Sequence, residues 1–437
     1  MSLKRFKYLI LGAGITGLSL AYHLKGQEYA LYEMDNKVGG MCKTENVGGF
    51  LFDYGEHFIR VDNSYVKTLI KKLLQNNMHS QSLNSAIYSE GRLTNYPFQT
   101  NLFGLPVDVV KKCLVGYVKA LCEKKQNERE ATNNFEQWIY TNFGAGIAKY
   151  FLIPYNEKIW TLHPRYMTTE WFFGESIVPK GSLELVIEGA LRQRAQEKRI
   201  RWYPLRGGIE SLAKAFLRFI DNVHLNKKAK EIESSKRQVT FEDGEVVQYE
   251  HLLNTIPIPE LVELLSDVPS DVKKAAANLK HNSVFCVNLG VNRNNLSDHH
   301  WIYFPEKKYI FSRLYFLSNF SSFMVPRGKS SVSAMITYSE WKPIDKSNII
   351  ERVVHDSIEA KILKEEDKIF SQTVADVKYG FSLYTPNRTK SVELIKAHLI
   401  DNDINTVGRY GNWEYSGIEH AILNSKELAE SLQKSKD

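Results

Sequence analysis

An α/β fold is predicted by three features of this sequence: an apolar strand that enters a glycine turn, a long helical stretch, and a later stretch of alternating aromatic and β-branched residues. A second glycine turn, more than 390 residues after the first, matches it in composition. We therefore expect a discontinuous Rossmann-like domain whose parts are separated by a helical insert and by an antiparallel β-sheet substrate domain.

The first glycine turn has the composition of a dinucleotide-binding motif. Tyr8–Leu11 is an apolar run that fits a buried strand, and Gly12, Gly14 and Gly17 follow with G-x-G-x-x-G spacing. Glu33 lies 21 positions after Gly12. In this motif the pyrophosphate binds at the helix N-terminus, and the acidic side chain accepts a hydrogen bond from a ribose hydroxyl. The motif alone leaves NAD, NADP and FAD open.

The predicted domains follow the order of these patterns along the chain. Three segments, 1–75, 200–272 and 393–437, form the discontinuous domain. A mainly helical substrate domain, 76–199, and an antiparallel sheet substrate domain, 273–392, lie between them. We expect the substrate to bind between the cofactor domain and the two inserted domains.

Individual elements are placed by hydrophobic periodicity and by glycine or proline breaks. Helical periodicity extends from about Val61 to Arg199, and a second motif-rich region follows it. The clearest predicted helices are Lys111–Lys125, Asn134–Phe151, Glu210–Phe219 and Ala421–Gln433. The predicted strands are Val223–Leu225, Val239–Phe241, Val284–Leu289, Tyr309–Phe316, Val332–Tyr338 and Ile404–Val407.

Composition excludes several classes of protein. The chain has 437 residues and a formal net charge of +7, but its 57 basic residues are interspersed with 50 acidic ones. Because no nucleic-acid-binding signature accompanies that charge, we expect no nucleic-acid partner. No apolar run reaches the ~20 residues that a bilayer span needs, so we expect no integral membrane segment. Four scattered cysteines without a CxxC pair indicate a reduced, cytoplasmic protein.

Further glycine-rich segments decide between the cofactors. The second strand runs into Gly39-Gly40 and a helical insertion, whereas an NAD-binding domain would continue with βαβ units. With Arg206–Gly208 and Gly408–Gly411, these segments resemble the flavin amine oxidase and mutase superfamily. If the glycines were simple turns, three such clusters in this order would be a coincidence. The resemblance implies FAD, bound by Gly12, Gly14, Ile15, Thr16, Gly17, Glu33, Met34, Gly39, Gly40, Met41, His57, Arg206, Gly408, Arg409, Tyr415, Gly417, Ile418, Glu419 and Ser425.

The rest of the chain resembles the UDP-galactopyranose mutases, particularly the longer eukaryotic-type ones. Five segments in the family's order carry this resemblance: Tyr96–Asn101, Pro154–Trp160, Trp301–Pro305, Arg313–Ser321 and Gly408–Tyr415. The resemblance implies an isomerase that interconverts the pyranose and furanose forms of a nucleotide sugar. In that family the N5 atom of reduced flavin attacks the anomeric carbon and displaces the nucleoside diphosphate. The resulting flavin-sugar adduct lets the ring open and reclose, and the diphosphate then returns without net redox change. FAD would therefore be active when reduced, with NAD(P)H as a candidate reductant.

The same resemblance implies a clamp for the substrate diphosphate, made of Arg313, Tyr303 and Tyr415. Guanidinium and phenol groups can hold a leaving diphosphate without acting as strong bases. Tyr384 is a fourth candidate, and the local alignment also admits Phe381. The aromatic residues could equally be core residues, but an arginine in this apolar run would be costly to bury without an anionic partner. The other implied positions are His57 at the flavin face, Phe98 and Gln99 beside the nucleobase, Asn156 and Trp160 near the nucleotide or sugar, and Asn319.

Two departures from the family pattern leave alternatives open. Ser176 stands where the family has a second diphosphate-binding arginine, and Phe320 stands where it has a tyrosine. Arg165 or Lys180 could replace the arginine. Each hydrogen bond to a charged group contributes about 1.5 to 3 kcal/mol. Losing an arginine and a phenol would therefore lower the affinity for a diphosphate by at least one to two orders of magnitude.

The departures favour either a mutase for a different nucleotide sugar or a shift to redox chemistry such as amine or protoporphyrinogen oxidation. Galactose is the default sugar, and a deoxysugar or another base would also fit. A binding module without activity is the non-enzyme alternative. FAD content distinguishes that alternative from both enzymes.

Overall fold

The computed structural model describes residues 3–126, 134–171 and 178–434. The α/β prediction is confirmed, because the described residues form two seven-stranded sheets with helices packed against them, together with two small two-stranded sheets. The domain boundaries expected from the sequence stay a prediction.

The strands of the described residues are mostly short. The first nine are β1 (Lys4–Leu11), β2 (Tyr29–Tyr32), β3 (Thr44–Val47), β4 (Phe50–Asp53), β5 (His79–Ser82), β6 (Ser85–Ser89), β7 (Arg92–Asn95), β8 (Ile200–Tyr203) and β9 (Val223–His224). The others are β10 (Ala229–Glu233), β11 (Gln238–Phe241), β12 (Val246–Asn254), β13 (His281–Val291), β14 (Trp301–Tyr303), β15 (Arg313–Tyr315), β16 (Ser330–Tyr338), β17 (Ile369–Ser382) and β18 (Ile404–Thr406).

The helices range from single turns to five turns. In chain order they are α1 (Ile15–His23), α2 (Ser64–Leu74), α3 (Val107–Gln126), α4 (Phe135–Ile147), α5 (Ile153–Trp160), α6 (Leu183–Leu191), α7 (Glu210–Phe216), α8 (Ile258–Leu264), α9 (Ser270–Asn278), α10 (Leu317–Phe320), α11 (Ile349–Glu359), α12 (Arg388–Ile400), α13 (Gly408–Gly411) and α14 (Ile418–Lys434). None of the described helices has both the length and the hydropathy that a bilayer span requires.

The first sheet contains the glycine turn. Its parallel part has the order β9-β2-β1-β12-β18, and β11 and β10 extend it in antiparallel fashion from β12. In β1 the side chains of Tyr8, Leu9 and Ile10 have no exposed surface. A central parallel strand is covered on both faces, which explains why its sequence is a continuous apolar run. The glycine turn lies at the carboxyl end of this strand, where α/β sheets bind ligands.

The two distant glycine turns meet in space. Strand β18 pairs with β12 in the first sheet, and helix α14 packs against α1. The Ser425 hydroxyl donates a hydrogen bond to the Thr16 carbonyl at 3.0 Å. A Cβ atom on Gly408, whose φ is +84°, would lie 2.4 Å from the Thr16 hydroxyl oxygen. The C-terminal segment therefore completes the structure that the first turn begins.

The second sheet has the order β17-β13-β16-β15-β14-β6-β7. Its neighbouring strands are antiparallel, as predicted, except that β6 runs parallel to β14. The predicted strand Tyr309–Phe316 is shorter than expected, since only Arg313–Tyr315 pairs with its neighbours. This short strand holds Arg313 opposite Tyr303 of β14.

The prediction of continuous helical structure from about Val61 to Arg199 is wrong in one part. Residues 79–95 form β5, β6 and β7, and the last two belong to the second sheet. All five residues of β6 are buried, so the strand shows none of the alternation that marks a half-exposed strand. The insert is therefore tied to the sheet domain by main-chain hydrogen bonds.

Candidate active site

The first glycine turn is shaped to admit a ligand. Gly12 has a φ of +96°, and Gly14 forms an isolated β-bridge with Gly39. A Cβ atom on Gly40 would lie 3.1 Å from the Gly14 Cα atom, so the two loops approach more closely than side chains would allow. Helix α1 begins after Gly14 with no side-chain cap, which leaves its first N–H groups available to a phosphate. The predicted residues Ile15, Thr16 and Gly17 form the first turn of that helix, and Met41 directly follows the second loop.

Glu33, whose ribose role stays a prediction, lies at the carboxyl end of β2. Its Oε2 atom accepts a hydrogen bond from the Ala13 N–H at 2.7 Å, and its Oε1 atom accepts one from Asp35 N–H at 2.9 Å. Burial raises the pKa of Glu33, and these N–H donors lower it in part. The carboxylate is thus held against the glycine turn, whereas the neighbouring Met34 is 58% exposed.

The C-terminal segment brings unpaired polar atoms to the same region. The Arg409 guanidinium donates to the carbonyls of Gly380 at 2.9 Å and Ser416 at 3.4 Å. The Arg409 Nε, Ser416 Oγ and His57 Nδ1 atoms are buried, and none has a hydrogen-bond partner among the described residues. Buried polar atoms are normally satisfied, so such atoms beside a glycine cradle fit a polar cofactor.

Some predicted cofactor residues lie against protein instead. The Arg206 side chain is exposed, with its guanidinium 3.7 Å from the centroid of the Phe323 ring. The Glu419 carboxylate accepts hydrogen bonds from the N–H groups of Asp62 and Asn63, at 2.7 and 2.8 Å. Gly417 is exposed, and Ile418 begins helix α14. The cofactor roles of these four positions stay predictions.

Arg313 is the centre of a second cluster, on the inserted sheet. Its Nη1 atom forms a short ion pair with the Glu56 carboxylate, and its Nη2 atom donates to the Tyr155 hydroxyl at 2.6 Å. The guanidinium lies 4.6 Å from the Tyr303 ring centroid. Burial alone would lower the pKa of Arg313, but Glu56 and the surrounding phenols raise it well above its ordinary value. Arg313 is thus permanently charged and already has an anionic partner.

Phenol groups surround this guanidinium. The rings of Tyr155 and Tyr303 are 5.2 Å apart and nearly perpendicular, and Tyr96 stacks on Tyr303 at 5.1 Å. Burial raises the pKa of Tyr303, although the charge of Arg313 opposes that effect. These hydroxyls therefore remain protonated and can donate hydrogen bonds to an anion.

Three members of this cluster were missed by the sequence analysis. Tyr155 lies inside a family-like segment, and Glu56 directly precedes His57, so their positions were visible but their partners were not. The third is Arg199, whose guanidinium lies 4.7 Å from the Tyr96 ring centroid and donates to Ser85 Oγ at 2.9 Å. Arg199 also lowers the pKa of Tyr96 and Tyr303, although burial has the larger, opposite effect on both. It is a second cation beside the phenols.

Tyr415 lies between the two clusters, because the Arg409 guanidinium is 5.1 Å from its ring centroid and its hydroxyl raises the pKa of Tyr96. Its N–H donates to the Tyr384 hydroxyl at 2.8 Å, and its ring lies 6.0 Å from that of Phe381 and 5.9 Å from that of Trp160. Both residues that the local alignment admitted, Tyr384 and Phe381, therefore contact Tyr415. Asn156, one turn before Trp160, accepts a hydrogen bond from the Trp160 indole at 3.1 Å.

Other predicted substrate residues are engaged within the protein. Phe98 has no exposed surface and stacks on Phe151 at 5.2 Å, and the Gln99 amide donates to the Pro179 carbonyl. The Asn319 amide donates to two backbone carbonyls, at 2.6 and 2.7 Å. Phe320, in place of the family's tyrosine, is fully buried and stacks on Phe58 at 4.2 Å. Their substrate roles stay predictions.

The predicted replacements for the missing arginine are exposed and engaged elsewhere. Arg165 pairs with Glu136 at 3.5 Å, and Lys180 lies 5.7 Å from the Trp138 ring centroid. Ser176 itself lies outside the described residues. Among the described residues, Arg199 is a better candidate for the second positive charge, because it contacts the phenols that surround Arg313.

His57 is expected to make stability depend on pH. Burial and the nearby Arg409 lower its pKa from 6.5 to about 4. Between these values the unfolded chain binds a proton that the folded protein does not, so the free energy of unfolding falls as the pH is lowered through this window. Between pH 7 and pH 4.5, the free energy of unfolding of His57→Asn should fall by about 2 kcal/mol less than that of the wild type. Urea unfolding at several pH values measures this difference. Equal profiles for the variant and the wild type would contradict this, and the exposed His420→Asn change is the control.

Comparisons with known proteins agree with this geometry. A family model described as flavin containing amine oxidoreductase matches residues 15–368. A UDP-galactopyranose mutase from Mycoplasma pneumoniae is 36% identical over 78 residues, which cover 17% of this chain and 20% of that protein. A coproporphyrinogen III oxidase from Mycobacterium tuberculosis is 31% identical over 106 residues, 23% of each chain. The aligned regions thus span only about a fifth of these curated relatives.

Solved structures match over nearly the whole chain. A reduced UDP-galactopyranose mutase has a TM-score of 0.92 and 27% identity, covering 98% of this chain and 94% of that one. A putrescine oxidase bound to putrescine has a TM-score of 0.68 and 14% identity over 98% and 99% of the two chains, which shows a shared fold alone. The resemblance to UDP-galactopyranose mutases is thus confirmed, and the family supports FAD as the cofactor. With its glycine cradle and a family match over most of its length, the chain belongs to the flavin-containing amine oxidoreductase family.

Proposed function

We propose that this protein is a flavin-dependent mutase that interconverts the pyranose and furanose forms of a nucleotide sugar without net redox change. The observation that carries the proposal is the buried Arg313 among phenols, with Tyr415 between this cluster and Arg409 of the C-terminal turn. A charged guanidinium of this kind suits the binding of a diphosphate leaving group, whereas oxidation of an amine gives it no comparable role. The near-complete match to a UDP-galactopyranose mutase structure supports the same conclusion.

FAD would be held by residues from both ends of the chain. The N–H groups at the start of α1 would bind the pyrophosphate, Glu33 the ribose, and the C-terminal turn from Gly408 the flavin portion. When bound and reduced, FAD supplies a nucleophilic ring nitrogen. The side chains of His57 and Arg409 would border the flavin, where their unpaired nitrogens could bind its polar edge.

The substrate diphosphate would be held by both cationic and phenolic donors. Arg313 supplies a fixed charge, Tyr303 and Tyr155 supply hydroxyl groups beside it, and Tyr415 would supply another from the side of Arg409. Arg199 would add the second charge, in place of the family's second arginine. Because these donors hold the leaving group near the reacting carbon, they favour its return after the ring has reclosed.

A second candidate function is the oxidation of a porphyrinogen or an amine. The coproporphyrinogen III oxidase match covers more residues than the mutase match does, and Glu56 already neutralises the charge of Arg313. An apolar or cationic substrate would be compatible with such a neutral site. Product analysis distinguishes the two functions.

The test is turnover by the reduced protein. We expect a yellow protein that is inactive until dithionite or NAD(P)H reduces its flavin. Incubation with a panel of nucleotide pyranoses, beginning with UDP-galactose, should then give a furanose isomer without stoichiometric consumption of reductant. Rapid oxygen consumption with a porphyrinogen or an amine, and no sugar isomer, would support the second candidate instead.

A further inference from the structure

The Arg313 guanidinium has unused capacity to bind an anion. It carries five N–H donors. Nη1 pairs with Glu56 and Nη2 donates to Tyr155, while the buried Nε has no hydrogen-bond partner among the described residues. An oxygen of a bound phosphate could satisfy the Nε donor, and a second oxygen could accept from the adjacent Nη2, in the bidentate geometry that arginine favours.

Glu56 already neutralises the guanidinium that such a phosphate needs. Its carboxylate contacts Nη1 from the loop that follows β4, and its side chain is 19% exposed, compared with 12% for Arg313. The ion pair is thus largely shielded from solvent, and charge interactions are stronger in such a site than at the surface. A second anion cannot approach the guanidinium without repulsion from this carboxylate.

We infer that Glu56 is a specificity-determining residue, which competes with the phosphate groups of the substrate for Arg313 and so lowers the affinity of the site for anions. The inference rests on the proposed function, because it takes a diphosphate as the ligand. It goes beyond that function by naming an intramolecular competitor. A ligand therefore binds the guanidinium either against the repulsion of this carboxylate or after displacing it from Nη1.

The inference predicts a gain of affinity upon removal of a charge. Glu56→Gln keeps the size of the side chain but removes its charge, so Arg313 should then bind anions with its full positive charge. We expect the dissociation constant for UDP and for inorganic pyrophosphate to fall by about tenfold. A purely structural carboxylate would give the opposite result, since its loss would disorder Arg313 and weaken binding.

The experiment titrates the flavin-loaded enzyme with each anion. Isothermal titration calorimetry and the flavin absorbance spectrum both measure binding. Glu56→Asp, which keeps the charge on a shorter side chain, should fall between the wild type and Glu56→Gln. Asp62→Asn is the matched control, because Asp62 is an exposed carboxylate that pairs with Arg60 at 3.1 Å. The affinities of Asp62→Asn for both anions should equal those of the wild type.

The outcomes separate this inference from the proposed function. If the anions bind the wild type, and Glu56→Gln binds them equally well or more weakly, the competition is overturned and the mutase proposal stands. If neither anion binds the wild type or Glu56→Gln, both the competition and the mutase proposal are overturned. Loss of flavin or of folding in Glu56→Gln, seen in its absorbance ratio and thermal unfolding, would show a structural carboxylate and would also overturn the competition.

Discussion

Arg313→Ala is expected to lower kcat by at least about 100-fold while the protein keeps its flavin. The variant removes the cation that donates to Tyr155 and leaves Arg199, on the far side of Tyr96, to balance the developing negative charge of the diphosphate. Flavin should remain bound because Arg313 lies on β15 of the second sheet, whereas the glycine cradle belongs to the first. The measurement is furanose formation by the reduced enzyme, together with the flavin-to-protein absorbance ratio.

Two further variants make the Arg313 result interpretable. Arg313→Lys retains the charge but loses the fork of donors, so its kcat should lie between those of the wild type and Arg313→Ala. Arg60→Ala removes an arginine from an exposed ion pair and should leave kcat unchanged. Flavin loss in Arg313→Ala would show that the arginine supports the fold rather than the reaction.

Gly17→Ala is expected to abolish flavin binding. A Cβ atom at this position would lie 1.9 Å from the Gly12 carbonyl oxygen, and a backbone atom cannot move away as a flexible side chain could. Helix α1 would have to separate from β1, which would displace the N–H groups that face the pyrophosphate. We expect less than about a tenth of the wild-type flavin content and a free energy of unfolding lower by about 2 to 4 kcal/mol.

The control for this substitution is Gly26→Ala. Gly26 lies just after α1, whereas Gly17 lies within it, and a Cβ atom on Gly26 would meet no atom within 4 Å. Its φ of +87° makes alanine unfavourable by about 1 kcal/mol, so this variant should lose some stability but no flavin. Stoichiometric flavin in purified Gly17→Ala would disprove the role of this close contact.

The cofactor half of the site could be predicted because its signals are local. Gly12, Gly14 and Gly17 have a spacing fixed by one turn, and Glu33 follows at the distance set by one helix and one strand. The C-terminal segment was placed beside them because its glycine turn resembled that of a known family. The structure brings Gly408 against Thr16 as that resemblance implied.

The substrate half was only partly predictable because its contacts join distant parts of the chain. Arg313 and Glu56 are 257 positions apart, and nothing near either residue indicates the other. The need for an anionic partner was evident, but the sequence pointed to a ligand rather than to a carboxylate of the protein. Arg199 was missed for a related reason, since the pairing of β5 with β8 brings it to Ser85, beside Tyr96.

The pairing of β18 with β12, and of α14 with α1, has a consequence for how the protein is made. During synthesis the glycine turn leaves the ribosome about 400 residues before the helix that packs on it. The nascent chain therefore exposes an incomplete cradle for most of its translation, and flavin can be retained only after residues 404–434 have emerged. Stable retention of the cofactor therefore depends on both of these distant segments, and it reports on completion of the first sheet.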